Sequence, residues 1–157
     1  MKKAVAPAAL RVQELLGSAF SVVEFEERTG TSAEAAAAIG CEVAQIAKSL
    51  VFRAATGHPV LVVASGANRV DERKVGEILG GTIDRADAEF VRRMTGFAIG
   101  GVPPIGHAVA PQILLDQDLV RFPMIWAAAG TPNAVFSLTP ADLERLTGGR
   151  YAEMARR

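Results

Sequence analysis

One lysine interrupts an apolar stretch of the chain and is the first candidate for a chemical role. The sequence has 13 arginines but only 4 lysines, and Lys48 lies inside the segment QIAKSLVF. An ammonium group in a half-buried strand costs desolvation energy unless it meets an anion or faces a wet cleft. Two interpretations stay open: Lys48 alternates outward from a strand toward solvent, or it points into a cleft.

A glycine- and proline-rich loop, GGVPPIGH at residues 100–107, is the second candidate. Pro103 and Pro104 have no N–H group and restrict the residues before them, so the loop is predicted to be stiff. It offers mainly carbonyl groups, together with the N–H groups of Gly100, Gly101 and Val102. Rigid carbonyls can hold a hydroxyl group or a water, but such clusters also form purely structural turns.

Most common catalytic and cofactor motifs are absent from the sequence. One cysteine and two histidines, Cys41, His58 and His107, cannot supply the usual zinc-ligand sets, and there is no HExxH or paired CxxC. No GxxxxGK[ST], strand-associated GxGxxG or GxSxG occurs. We therefore expect no metal and no cofactor. His107, at the end of the loop, is either a base or orienting group, or a hydrogen-bonded structural histidine.

Composition limits the classes of protein that remain. The chain has 157 residues, a formal net charge of zero and a pI near 6.7, which argues against a general binder of duplex DNA but allows a small local contact with RNA. The apolar runs are far shorter than the roughly 20 residues of a membrane-spanning helix. A single cysteine and no convincing signal peptide predict a cytoplasmic location. The length predicts one domain over residues 1–157.

The order of predicted elements indicates the fold class. Helices are predicted to begin near Pro7, Thr31, Asp71 and Thr139, each with a helix-start signal. Another helix is predicted over about residues 87–95. The predicted strands cover residues 21–25, 46–52, 60–64, 111–115, 124–129 and 134–138. Several strands are joined by connections too short for parallel crossovers, which favours an α+β domain with a mostly antiparallel sheet and flanking helices. A doubly wound parallel sheet is the second choice.

The sequence resembles the YbaK/ProX family, the free-standing relatives of the editing domain inserted in bacterial prolyl-tRNA synthetases. The resemblance covers most of the chain. It rests on four segments in order: TSAEAAAAIGCEVAQIAKSLVF, VVASGANRVDERKV, TGFAIGGVPPIGH with its GxxxP, and an AG followed by PADLERLTGG.

The resemblance implies a mixed α+β domain on a curved, largely antiparallel sheet, and hydrolysis of the ester that joins a wrong amino acid to transfer RNA. The chain would act in trans, since its length leaves no room for a synthetase catalytic domain. Lys48 matches a family lysine implicated in binding the 3′ end of the RNA and in activity. Gly100, Gly101 and Pro104 match the active-site loop, and His107 completes our set of catalytic candidates.

The expected substrate is a small uncharged amino acid on tRNA-Pro, with a prolyl-tRNA synthetase as a partner. Val102, Ile105 and Val135 flank the expected site and cannot pair with a charged side chain, whereas Ser49 can bond a hydroxyl group. Some relatives that act on cysteinyl-tRNA carry an acidic residue where this chain has Val135, so that specificity is not carried over. The alternatives are a non-catalytic module that binds charged tRNA or a small metabolite, and a generic small-ester hydrolase.

Overall fold

A computed structural model describes residues 1–27 and 29–157. Within them, five α-helices and nine strands alternate along the chain. The helices are α1 (Pro7–Leu16), α2 (Ser32–Ile39), α3 (Glu72–Leu79), α4 (Ala88–Thr95) and α5 (Pro140–Thr147). The strands are β1 (Lys2–Lys3), β2 (Val23–Glu24), β3 (Ile46–Ala54), β4 (Pro59–Ser65), β5 (Ile83–Arg85), β6 (Gln112–Asp116), β7 (Ile125–Ala128), β8 (Ala134–Leu138) and β9 (Arg150–Ala152). Two short 3₁₀ helices cover Val43–Gln45 and Gln117–Arg121.

The strands form one mixed sheet in the order β1-β2-β8-β7-β3-β4-β6-β9, with β5 paired to β3 off this path. Five of the strand pairs are antiparallel, and β3–β7, β4–β6 and β6–β9 are parallel. This confirms the predicted α+β class with a mostly antiparallel sheet and contradicts the doubly wound alternative. The strand predicted at residues 21–25 is only two residues long, and the short strands β1, β5 and β9 were not predicted.

Three of the helix-start signals in the sequence, those of α2, α3 and α5, are confirmed by hydrogen bonds. The Thr31 side chain accepts from the Glu34 N–H, and Asp71 accepts from the N–H groups of Arg73 and Lys74. Thr139 and Asp142 form a reciprocal capping box at α5. These bonds fix where α2, α3 and α5 begin relative to the sheet.

Strand β4 is the centre of the core, because all seven of its residues are buried. It pairs with β3 on one side, where Ser49 lies opposite Val63, and with β6 on the other. One apolar cluster packs around Leu61, Val63 and Phe136 on one face, and another around Val60, Val62 and Leu114 on the opposite face. The strand that carries Lys48 is therefore paired from Ala47 to Arg53 with a fully buried strand.

The other edge of β3 is only partly covered. Strand β7 pairs with it at Ile46 and Ala47, and β5 pairs with it from Phe52 to Ala54. Within the described residues no strand pairs with residues 48–51 on this edge. The sheet therefore opens at the position of Lys48.

No helix in the described part of the chain has the length and apolar character needed to cross a membrane.

Candidate functional site

Two cavities meet at the open edge of β3. The Arg69 cavity, of about 530 Å³, is lined by residues 48–52 of β3, the segment Ala67–Val70, Glu72, Arg85, Ala86, Val91 and part of the loop. The Trp126 cavity, of about 360 Å³, is lined by residues of β3, β7 and β8, by Thr29–Ser32 and by Ala35. Both cavities share Lys48, Ser49, Leu50, Ile99, Gly100 and Val102. A ligand that reaches both must pass between β3 and the loop.

Lys48 is a cleft residue, which decides between the two interpretations left open by the sequence. Its side chain is half-buried, and its ammonium group donates to the main-chain carbonyl of Asn68 at 2.7 Å. Burial lowers the pKa of Lys48, nearby Asp116 raises it, and Arg69 lowers it. An ammonium group has three N–H bonds, so Lys48 can still donate to a ligand after bonding Asn68.

The backbone of β3 also presents polar groups to the cleft. The Ile46 carbonyl accepts from the Gly66 N–H, and the Ala54 N–H donates to the His58 carbonyl. Because ladder bonds alternate along a strand, even-numbered residues of β3 face β4 and odd-numbered residues face the opposite edge. The N–H and C=O groups of Ser49 consequently point to the edge where neither β7 nor β5 pairs.

The glycine loop forms the opposite wall of the cleft. Gly100 has a φ of +92°, a conformation that favours glycine. Gly101 is buried: its N–H donates to the Ala98 carbonyl at 3.1 Å, and its carbonyl accepts from the Gly130 N–H at 2.9 Å. Both polar groups of Gly101 are thus used within the protein. We infer that Gly101 holds the loop, while Gly100 and Val102 face the cavities.

Three of the loop residues singled out in the sequence lie elsewhere. Pro104, Ile105 and His107 line a separate cavity of about 200 Å³, which has no residue in common with the two at Lys48. A His107 ring nitrogen bonds the Pro103 carbonyl at 2.7 Å, and burial lowers the pKa of His107, with that bond acting in the opposite direction. The structure brings Lys48, Ser49, Gly100, Val102 and Val135 together and leaves these three apart. Of the two interpretations of His107, this geometry favours the structural one.

Ser49 carries a hydroxyl group with an unusual environment. Its Oγ is buried and, among the residues that the structure describes, has no hydrogen-bond partner. An unpaired buried hydroxyl costs free energy unless a ligand completes it. Ser49 lines both cavities, but its Oγ has almost no accessible surface, so a ligand bonds this hydroxyl only if the lining shifts on binding.

Replacement of Ser49 by alanine is expected to separate stability from activity. S49A removes an unsatisfied group, so the free energy of unfolding should stay equal or rise by up to about 1 kcal/mol, while activity falls about 2- to 10-fold. S65A is the matched control, because the Ser65 hydroxyl is buried and donates to the Ala44 carbonyl at 2.7 Å. Thermal melts of both variants test this. A loss of stability in S49A equal to that in S65A would show that the Ser49 hydroxyl is structural.

The lining of the Trp126 cavity limits the charge of its ligand. Of the described residues around it, Lys48 is the one charged side chain, and the others are small, apolar or hydroxyl-bearing. Val135 is among them, as expected. Trp126, Arg69 and Asn68 were not singled out from the sequence. Arg69 and Asn68 lie in the segment VVASGANRVDERKV, one of the four that carry the family resemblance. That resemblance was the one signal in the sequence that could have pointed to them.

Comparison with known proteins places this chain in a family. The model of the aminoacyl-tRNA editing domain matches residues 26–146. A solved structure of a protein provisionally assigned as a trans-editing enzyme for prolyl-tRNA synthetase superposes with a TM-score of 0.93 at 45% identity, covering 98% of this chain and 100% of that one. The chain therefore belongs to the aminoacyl-tRNA editing domain family.

Two curated relatives also match. YwhH of Bacillus subtilis (strain 168), an uncharacterized protein, is 36% identical over 126 residues, which cover 80% of each chain. EbsC of Enterococcus faecalis (strain ATCC 700802 / V583), provisionally assigned as a Cys-tRNA(Pro)/Cys-tRNA(Cys) deacylase, is 28% identical over 125 residues, or 78% of this chain and 76% of EbsC.

Proposed function

We propose that this protein hydrolyses the ester bond of mischarged aminoacyl-tRNA and releases a small uncharged amino acid, with tRNA-Pro as the carrier. The observation that carries the proposal is the junction of two chemically different cavities at Lys48 and Gly100. An aminoacyl-tRNA end has two parts to match, a nucleotide and an amino acid, joined by the bond to be broken. Family membership gives the general class of activity.

The Arg69 cavity suits the terminal nucleotide. Lys48, Arg69 and Arg85 supply positive charge, and Glu72 lies 3.6 Å from Arg85 as a partial counter-charge. A single-stranded RNA end is bound through its phosphates and its unstacked base. A few local cations are enough for a contact confined to the acceptor end, in agreement with the zero net charge of the chain.

The Trp126 cavity suits the amino acid side chain. Among the residues that the structure describes, its lining has no acid to neutralise a basic substrate, and an acidic substrate would meet only Lys48, which we assign to the reaction. The bond between the two parts then lies beside Lys48, Ser49 and Gly100. Residues of β3 therefore lie on one side of the ester bond, and residues of the loop lie on the other.

The proposed reaction is attack of water on the ester carbonyl carbon. The carbon–oxygen bond to the ribose breaks, and the ribose oxygen leaves with a proton. An aminoacyl ester is already activated, so positioning of the water and stabilisation of the oxyanion supply much of the needed acceleration. Lys48 and the free Ser49 N–H are the donors for the developing negative charge. The vicinal ribose hydroxyl of the substrate assists the proton transfer.

The choice of amino acid is predicted to be graded. Alanyl-, seryl- and threonyl-tRNA-Pro should be deacylated faster than aspartyl- or lysyl-tRNA-Pro. The described lining of the Trp126 cavity offers a lysyl side chain no acid, and it offers an aspartyl side chain only Lys48, which we assign to the reaction. An apolar pocket separates analogues that differ by one methylene only about 10- to 200-fold. Initial rates of amino acid release on one tRNA measure this series. A clear preference for cysteinyl-tRNA would instead align the protein with EbsC and contradict our interpretation of Val135.

Activity is predicted to be independent of added metal. The sequence holds one cysteine and two histidines, and no group of three or more His, Cys, Asp or Glu residues comes together in the described part of the chain. Strong chelators should leave deacylation unchanged at equal ionic strength. A loss on chelation that zinc restores would overturn the mechanism proposed here.

We further propose that residues 1–157 act in trans as one editing domain. Support comes from the relatives, since YwhH is covered to 80% and the trans-editing neighbour to its full length. Strands β1 and β9 join the same sheet as β3, which favours one folding unit. A prolyl-tRNA synthetase is the proposed partner. Co-sedimentation of the two purified proteins with and without tRNA-Pro tests the association.

A further inference from the structure

The Lys48 ammonium group bonds Asn68, whose own side chain bonds two carboxylates. The Asn68 carbonyl accepts from the Lys48 ammonium group at 2.7 Å. The Asn68 side-chain amide donates to Asp116 Oδ2 at 2.9 Å and to Asp118 Oδ2 at 2.8 Å. Both amide hydrogens are therefore used, and the carbonyl that meets Lys48 belongs to the same residue.

The two carboxylates are fixed in turn. Asp116 is 1% exposed, and it also accepts from the Ser65 N–H at 3.0 Å and from the Asp118 N–H at 3.0 Å. Asp118 is bonded by Arg157 at 3.1 Å. The Asn68 bond, followed by contacts with Arg157, holds the pKa of Asp118 below its usual range, so this acceptor stays charged near neutral pH.

We propose that Asn68 is a positioning residue for the reaction, and that its clamp between Asp116 and Asp118 aims the Asn68 carbonyl at Lys48. The proposal rests on the role of Lys48 put forward above. The carbonyl takes one ammonium N–H and directs the remaining two toward the junction of the cavities. Asp116 adds an attraction that favours the charged form of Lys48. A clamp of this kind matters because displacement of a reacting group by about 1 Å can cost about 100-fold in rate.

The test is an amide-to-carboxylate change that keeps the shape of the side chain. N68D turns both donor contacts into repulsions, so the main-chain carbonyl is still present but is no longer held in position. We expect the kcat for deacylation to fall at least 10-fold with a smaller change in KM. Q117E is the matched control, because Gln117 also donates its amide to a carboxylate, Glu153 at 2.9 Å, and lies outside both cavities. Q117E should keep wild-type kcat.

A double-variant cycle shows whether Asn68 acts through Lys48. N68D should lower the rate in the wild-type background and have no further effect in K48A, because residues that act as one unit are non-additive. Equal losses in both backgrounds, or wild-type kcat in N68D, would overturn the positioning role. If N68D has wild-type kcat while K48A loses activity, the positioning role is wrong and the proposed function is still supported.

A second measurement needs no substrate and keeps the inference testable if N68D is poorly folded or if no tRNA is deacylated. The ¹⁵N-detected NMR signal of the Lys48 ammonium group should be visible in the free wild-type protein at low temperature, because the bond to Asn68 slows exchange with water. The signal should weaken or disappear in N68A, and Q117E should retain it. An unchanged signal in N68A would contradict the proposal.

Discussion

K48A is expected to reduce deacylation by about 100- to 1,000-fold while the protein stays folded. The estimate is the effect of removing one donor that stabilises an oxyanion. K48A has two opposite effects on stability. It removes the 2.7 Å bond from the Lys48 ammonium group to the Asn68 carbonyl, and it also removes a half-buried charge that is costly to desolvate. The melting temperature should therefore change little. Single-turnover release of amino acid from mischarged tRNA-Pro, together with a thermal melt, measures both quantities.

The matched control is K74A. The Lys74 ammonium group also donates to a main-chain carbonyl, that of Ala155 at 2.8 Å, and lies 3.7 Å from Glu153. Lys74 lines neither the Arg69 cavity nor the Trp126 cavity. K74A should retain wild-type activity. If K48A and K74A were equally active, Lys48 would not be part of the reaction.

G101A is expected to give the second largest loss, about 100-fold in rate. A Cβ at Gly101 would lie 2.8 Å from the Gly130 carbonyl oxygen and 2.8 Å from the Thr131 Cα. Both are backbone atoms, so the loop must move away from residues 130–131, and Gly100 moves with it. A shift of about 1 Å at the reacting groups has an effect of this size.

The G101A rate is measured at a temperature where the variant remains fully folded, so that a stability loss does not count as a catalytic one. G81A is the control, because an added Cβ at Gly81 has no heavy atom within 4 Å and Gly81 does not have a positive φ. It should be neutral. Full activity of folded G101A would show that the loop position does not limit the reaction.

The sequence predicted most elements because their signals are local. Thr31, Asp71 and Thr139 are each followed within three residues by the N–H group that they cap. Strand β4 was evident from its continuous apolar run. Strand β5 has only three residues and forms by pairing with β3 across the chain, so no local pattern announces it.

The candidate site was predictable only in part, for the same reason. Lys48 stood out as a cation in an apolar segment, but the opening beside it depends on two long-range pairings of β3. The pairing with β7 ends at Ala47, and the pairing with β5 begins at Phe52. The Asn68 side chain bonds Asp116 and Asp118, which lie 48 and 50 positions further along the sequence. His107 is only six residues from Gly101, yet it bonds the Pro103 carbonyl and faces a different cavity. Proximity to Gly101 in the sequence therefore did not place His107 in the cleft at Lys48.

We propose above that the cleft at Lys48 hydrolyses the ester of a mischarged tRNA. The most direct test of this proposal is incubation of the wild-type protein with a panel of mischarged tRNAs, with release of free amino acid followed under multiple-turnover conditions against a protein-free blank. We expect several turnovers per protein on tRNA-Pro carrying alanine, serine or threonine. Release no faster than the blank on every member of the panel, from protein that still binds the charged tRNA, would contradict it and indicate a non-catalytic binding module.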